Sequence, residues 1–338
     1  MNAKVAESSL TGKDFEGGIR MVTKEELYYD SRDGISKIHA IRWIPKEEPK
    51  AVLQIVHGMA EYVDRYHDFA VKMAEKGFLV VGEDHLGHGL SVQGDGAYGY
   101  FCENDPATVV VRDVHRLKKL TQQKYPGLPY FIMGHSMGSF ITRNYLCKYG
   151  TGIDGAIIMG TGMQKKALVS SAKKMAAIQK VLHGSRYVSK VLDKAAFGQY
   201  NKMIANPLTE SDWLSKDEKK VEAYINDPLC GFTFTVNGFQ TLFELIWRLY
   251  QQENLDNMPK ELPVMFASGT DDPVGDYFEG VERAVESFRK TGMLDITVKK
   301  YEKGRHELLN EPEWEQVAED IYGWLSEKIA ALEAADEK

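Results

Sequence analysis

Apolar positions along the chain fall into short, nearly unbroken runs separated by longer stretches with helical spacing. Ala51–Val56, Phe78–Val81, Tyr130–Met133, Ile153–Met159, Leu262–Ala267 and Ile296–Tyr301 are the short runs. Runs of that length, bounded by turn residues, read as strands covered on both faces. Between them, Arg65–Lys76 (stopped by Gly77), Ala107–Lys124 (closed by Tyr125-Pro126-Gly127), Met137–Tyr149 (ended by Gly150) and Phe278–Lys290 show helical spacing. Two alternating runs, Glu26–Tyr29 and Ile38–Ile44, flank Asp33-Gly34 and predict a hairpin. A long amphipathic helix is expected from Pro312 to about Ala335, with the proline in its first turn. Strands alternating with helices imply parallel βαβ units and an α/β sheet domain.

The pattern changes at Met163. From there to about Asn257 the chain is lysine-rich and helical with few buried-strand runs, so it reads as an insertion into the sheet domain. Residues 1–162 and 258–338 then form the two parts of the core, and 163–257 a helical cap. A chain of 338 residues is long enough for one large α/β domain carrying such an insertion.

Charge and cysteine content narrow the function classes. The formal net charge of −7 argues against a nucleic-acid partner, because phosphate binding needs a positive surface. Lys173-Lys174 and Lys216–Lys220 read as solvated helix faces. Cys102, Cys147 and Cys230 are odd in number and widely spaced, which fits neither a disulfide framework nor a zinc site. Met1–Gly18 lacks the apolar run of a signal peptide. No window approaches the roughly 18 apolar residues of a membrane span. A reducing, cytoplasmic setting is the expectation, with no metal and no organic cofactor.

Candidate chemistry centres on Gly134-His135-Ser136-Met137-Gly138, a G-x-S-x-G pattern between a strand and a helix. A nucleophilic serine on a tight strand-to-helix turn needs small neighbours for close approach, and a helix N-terminus behind it favours developing negative charge. A serine hydroxyl is a weak nucleophile, so a base and an orienting acid are required. Gly269-Thr270-Asp271-Asp272-Pro273 puts carboxylates after the strand Leu262–Ala267. Asp272 is the preferred acid, with Asp271 and Asp276 as alternatives. His306, in Gly304-Arg305-His306-Glu307 after the last predicted strand, is the candidate base. His57, His85, His88 and His135 precede the serine and read as loop-shaping residues. An oxyanion hole needs two main-chain N–H groups, expected from Met137 and from Met59 in His57-Gly58-Met59.

With these residues in place, the chain resembles the monoacylglycerol lipase and lysophospholipase branch of the α/β hydrolases, often filed as serine aminopeptidase-like. The resemblance rests on His57-Gly58-Met59-Ala60-Glu61 with Arg65-Tyr66, and on Asp84-His85-Leu86-Gly87-His88-Gly89 with Ser91. It continues through Tyr125-Pro126-Gly127, the Gly134–Gly138 turn, Gly269–Pro273 and Arg305-His306-Glu307. It implies an α/β-hydrolase fold, a mostly parallel sheet flanked by helices, with 163–257 as a cap over the site. It also implies the triad Ser136, Asp272 and His306, with Met59 and Met137 as oxyanion donors. Ser139 departs from the branch, many of whose members carry a second glycine there; the expected consequence is altered helix packing.

The resemblance implies hydrolysis of carboxylic esters of the monoacylglycerol or lysophospholipid kind. Phe232, Phe234, Phe239 and Phe243, with Leu245 and Trp247, form a dense apolar run that either lines an acyl pocket or packs the cap's seam. A peptidase of the same fold needs a cap carboxylate for the substrate amine, with Glu222, Asp227 and Glu244 available. A transferase, a perhydrolase and a non-enzymatic scaffold are the remaining alternatives. Met175, Ile178, Val181 and Leu182 lie near one face of a helical run that either packs in the cap, forms a dimer seam or touches a lipid surface transiently.

Overall fold

The computed structural model describes residues 22–94 and 96–336; the Met1–Gly18 segment lies outside them. The strands are β1 (Val22–Asp30), β2 (Lys37–Pro45), β3 (Ala51–Val56), β4 (Phe78–Glu83), β5 (Tyr130–His135), β6 (Gly155–Met159), β7 (Val264–Gly269) and β8 (Ile296–Tyr301). Among the described residues they form one sheet in the order β1-β2-β4-β3-β5-β6-β7-β8. β1 and β2 form the predicted antiparallel hairpin, β2 meets β4 antiparallel, and every later pairing is parallel.

β3, β4, β5, β6 and β7 are buried at every position, which explains their unbroken apolar runs. β8 alternates between half-buried and exposed, as an edge strand does. Helices α1 (His67–Glu75), α2 (Pro106–Lys124), α3 (Met137–Tyr149), α9 (Glu279–Arg289) and α10 (Trp314–Asp336) cover the sheet. One face packs against α2, α3 and α9, and the other against α1 and α10. α10 begins two residues later than expected, leaving Pro312 in the turn before it.

Between β6 and β7 the chain leaves the sheet. It forms α4 (Lys166–His183), α5 (Lys190–Phe197), α6 (Glu218–Asn226), α7 (Val236–Arg248) and α8 (Gln252–Leu255), with 3-10 turns at Tyr200–Met203 and Asp212–Leu214. α7 is the best anchored, packing on α2, α3 and α4. Among the described residues, no helix is long and apolar enough to cross a membrane.

Candidate active site

Ser136 sits between β5 and α3 with φ 53° and ψ −120°, a backbone state that costs a non-glycine residue about 1–3 kcal/mol. The surrounding contacts over-determine it. A Cβ on Gly138 would lie 1.9 Å from the Val56 carbonyl oxygen, so only glycine lets α3 start against the end of β3. The Ser136 amide donates to the Met159 carbonyl at 3.0 Å. Ser139, the departure noted in the sequence, donates from Oγ to the Ser136 carbonyl at 2.6 Å and shares a hydrogen bond with Thr161 Oγ1 at 2.8 Å. A glycine there makes neither contact.

His306 is 2% exposed, and its Nδ1 lies 3.0 Å from each carboxylate oxygen of Asp272. A carboxylate only accepts, so Nδ1 is the donor of this pair. Asp272 is fully buried and accepts from the Val274 amide at 2.9 Å and, at 3.5 Å, from Ser268 Oγ. The alternatives are occupied elsewhere: Asp271 is exposed beside Thr270, and Asp276 is paired with Arg283 at 2.6 Å. His306 and Ser136 both lie against one stretch of backbone. Met159 holds the Ser136 amide, and a Cβ on the next residue, Gly160, would lie 3.2 Å from His306 Cε1.

The loop after β3 closes on the same point. A Cβ on Gly58 would lie 3.1 Å from Ser136 Cβ. The Gly58 amide itself donates to Glu61 Oε1 at 2.6 Å. Met137 stands in the first turn of α3, where N–H groups have no partner within the helix.

Behind these residues lies a buried ionic network. Arg65 donates from Nη1 and Nη2 to the two oxygens of Glu307, at 2.7 and 2.8 Å, and from Nη1 to Glu61 Oε2 at 2.6 Å. Glu61 Oε1 also accepts from Tyr66 at 2.9 Å and faces His135 Nδ1 at 3.4 Å, while His135 Nε2 reaches the His306 carbonyl at 3.1 Å. Burial works against the charge on Glu61, but Arg65 and then His135 outweigh it and hold its carboxyl well below the usual range. Burial likewise opposes protonation of His135, yet the hydrogen bond and charge of Glu61 raise its pKa. The network joins the loop of Gly58, the residue before Ser136 and the residue after His306. Glu61 and Arg65 stand in the sequence motif without a role there, their four-residue spacing being the one available signal.

His57, His85 and His88 form a second buried group. Burial is the largest cause lowering each of them, to about 4 for His85 and about 3 for His88, so they stay neutral and shape the loops through ring contacts. Among the described residues, no three His, Cys, Asp or Glu side chains are grouped to hold a metal.

The four phenylalanines divide. Phe234 and Phe239 are fully buried, in edge-on contact at 5.9 Å, and Phe234 also meets Phe101 and His88. With no surface to offer a ligand they belong to the seam, which corrects the expectation that they line the cleft. Phe232 is half-buried and Phe243 keeps 7% exposure.

Residues 47–313 match the family described as serine aminopeptidase S33. The chain belongs to that family. Relatives of this S33 member include the monoglyceride lipase of Mus musculus, 29% identical over 86% of this chain and 88% of that protein. The monoacylglycerol lipase of Mycolicibacterium smegmatis is 27% identical over 90% and 97%. A thermostable carboxyl esterase from Bacillus coagulans superposes with a TM-score of 0.85 at 29% identity, over 90% of this chain and 99% of that one. The monoglyceride lipase of Saccharomyces cerevisiae, at 20% identity and a TM-score of 0.70 over 94% and 97%, shares the α/β-hydrolase fold.

Proposed function

We propose that this S33 member hydrolyses monoacylglycerols, lysophospholipids or similar acyl esters through a Ser136–His306–Asp272 acyl-enzyme route. Its family and its lipase and esterase relatives make it a carboxylic ester hydrolase. The observation that carries the route is the pairing of His306 Nδ1 with both oxygens of buried Asp272, together with a Ser136 held at positive φ.

In this route His306 Nε2 takes the Ser136 proton as Oγ attacks the ester carbonyl. The oxyanion is bound by the Met59 and Met137 amides, each donor of this kind being worth about 10²–10³ in rate. As the C–O bond breaks, the same proton passes to the leaving alcohol. Water then gives its proton to His306 and attacks the acyl-enzyme, releasing the acid and restoring Ser136. Asp272 keeps the imidazole in its productive tautomer and stabilises its charged form.

Residues 163–257 serve as the cap, and of its four phenylalanines named above Phe232 and Phe243 are the two that keep surface for an acyl chain. Exposed apolar side chains on α4, among them Ile178, Val181 and Leu182, suit transient contact with a lipid surface. Three free cysteines fit a reducing compartment, which we take to be the cytoplasm. Two of the carboxylates a peptidase could use are committed, Glu244 to Lys173 and Arg248 and Asp227 to Tyr62 and the Leu229 amide, while Glu222 is exposed.

The deciding experiment compares wild type with Ser136→Ala on p-nitrophenyl esters of rising chain length, a monoacylglycerol and an amino-acid p-nitroanilide. Ester turnover lost in Ser136→Ala supports the reading. Cleavage of the anilide alone replaces it with a peptidase, and no turnover with no fluorophosphonate labelling overturns the enzyme.

A further inference from the structure

The loop after β8 is held from two sides, and one of them lies outside the sheet domain. On the sheet side, Glu307 takes the guanidinium fork of Arg65. On the other, the 3-10 turn Asp212–Leu214 runs beside residues 305–311. The His306 amide donates to the Trp213 carbonyl at 3.3 Å, and the Glu307 amide to the Leu214 carbonyl at 2.7 Å. Arg305 Nη1 donates to the Asp212 and Ser215 carbonyls at 2.7 and 2.9 Å, and Ser215 Oγ to the Asn310 carbonyl at 2.8 Å. Above this pairing the Trp213 ring lies against the His306 ring, centroids 5.0 Å apart and planes at 40°. Trp213 is itself fixed. Its amide donates to Asn201 Oδ1 at 2.9 Å, and Tyr200 meets its ring edge-on at 4.9 Å.

We propose that Trp213 and Arg305 are positioning residues for His306, setting the ring angle from which it protonates the leaving alcohol. The proposal rests on the Ser136–His306–Asp272 reading. Asp272 fixes only the Nδ1 end of the imidazole, and rotation about that contact swings Nε2 away from its target. A ring packed on the imidazole, on a segment bonded to the main chain on both sides of His306, opposes that rotation. Nε2 must serve two oxygens in turn, first Ser136 Oγ and then the departing alcohol oxygen. Misplacement by about 1 Å costs up to about 10² in rate.

This role is separable from simple support of the fold. An alkoxide leaves only as it is protonated, whereas p-nitrophenolate is a stable anion and leaves without help. Loss of positioning therefore falls harder on an alkyl ester than on an aryl ester of the same acid. Loss of folded protein falls on both alike.

The test measures kcat and KM on ethyl and p-nitrophenyl esters of one acid, for wild type, Trp213→Leu, Trp213→Phe and Arg305→Met. Trp213→Leu is expected to lose kcat on the ethyl ester about 10-fold more than on the p-nitrophenyl ester, with Trp213→Phe restoring most of it. Arg305→Met loosens the loop independently and is expected to shift the same ratio in the same direction, so it decides the matter should Trp213→Leu not fold. Equal losses on the two esters, or a change confined to KM, overturns the proposal while leaving the triad intact. Full ester turnover in Ser136→Ala removes the triad reading itself.

Discussion

Helices α3 and α4 both pack against α7 and both carry apolar residues at helical spacing, yet they are held very differently. Nine of the 13 residues of α3 are buried, against two of the 18 of α4, Val169 and Ala176. α3 is pinned at its first residues by the backbone of β3 and β6, and its packing sustains the positive φ of Ser136. α4 leaves Val181 86% exposed and Leu182 64% exposed. Apolar spacing therefore reports a face that can be buried, and the rest of the chain decides whether it is. Strain is stored where packing is complete, and loosely covered surface is left where partners or substrates approach.

The largest break in this comparison comes at the strained position. Ser136→Ala is expected to lower ester turnover by about 10⁶ in kcat, the scale seen when a triad serine is removed. Stability should not fall with it, because among the described residues the Ser136 hydroxyl has no hydrogen bond to lose. Turnover and thermal melting on the same sample separate the two, and a melting point reduced in step with activity would count against the route.

Next in size is the network behind the site. Arg65→Met leaves Glu61 and Glu307 buried without their cation, which is expected to cost about 3–5 kcal/mol in urea unfolding. Arg65→Lys keeps the charge but loses the fork, and should fall between. A change within 0.5 kcal/mol for Arg65→Met would mean that the pair is solvated and the loops are held by other contacts.

These two sites also differ in how plainly they stand in the sequence. β3, α3 and β8 have the residue bounds their apolar runs predict. Asp272 and His306 lie within hydrogen-bond distance because strand ends in an open α/β sheet converge on one edge. β4 and β5 run two residues further than their apolar patterns, into Glu83 and His135, whose polar groups are buried by partners distant in sequence. Trp213 was invisible for the same reason. Its partner His306 lies on another segment, and a pairing of that range leaves no local periodicity. The aromatic run could not be divided either, because Phe232 and Phe234 differ in surroundings and not in residue type.

A buried carboxyl pair on the sheet gives an effect with a defined sign. Burial pushes Glu83 up to about 8, with Asp84 adding to it against the opposing Tyr29 hydrogen bond. Asp113 is also pushed to about 8, by burial and then by Glu83. The unfolded chain releases these protons in the ordinary carboxylate range, whereas the folded chain keeps them until about pH 8. Over that interval the folded state binds more protons, so the pair's contribution to stability falls as pH rises and levels off above pH 8. Each group loses about 1.4 kcal/mol per pH unit over that interval, so the pair is expected to lose several kcal/mol between pH 5 and pH 8, and Glu83→Gln should at least halve the loss. A wild-type urea midpoint that rises across this range would show that the carboxyls ionise within the fold at ordinary pH.

The smallest effect belongs to α4 and sharpens the comparison most. Val181 and Leu182 are exposed, so Val181→Gln with Leu182→Gln gives up little burial and should change stability by less than about 0.5 kcal/mol. Turnover of a short, water-soluble ester should be equally unaffected, because no contact of the triad or the 305–311 loop passes through these residues. Hydrolysis of a monoacylglycerol presented in vesicles is different, since apolar surface then has acyl chains to enter, each side chain offering about 1.5–3 kcal/mol on full burial. The double variant should therefore lose activity on vesicles several-fold while keeping it on the soluble ester. Equal activity on both substrates would remove α4 from lipid contact. A large loss of stability instead would mean that the two side chains are covered in solution by another copy of the chain, which sedimentation of wild type and variant would reveal directly.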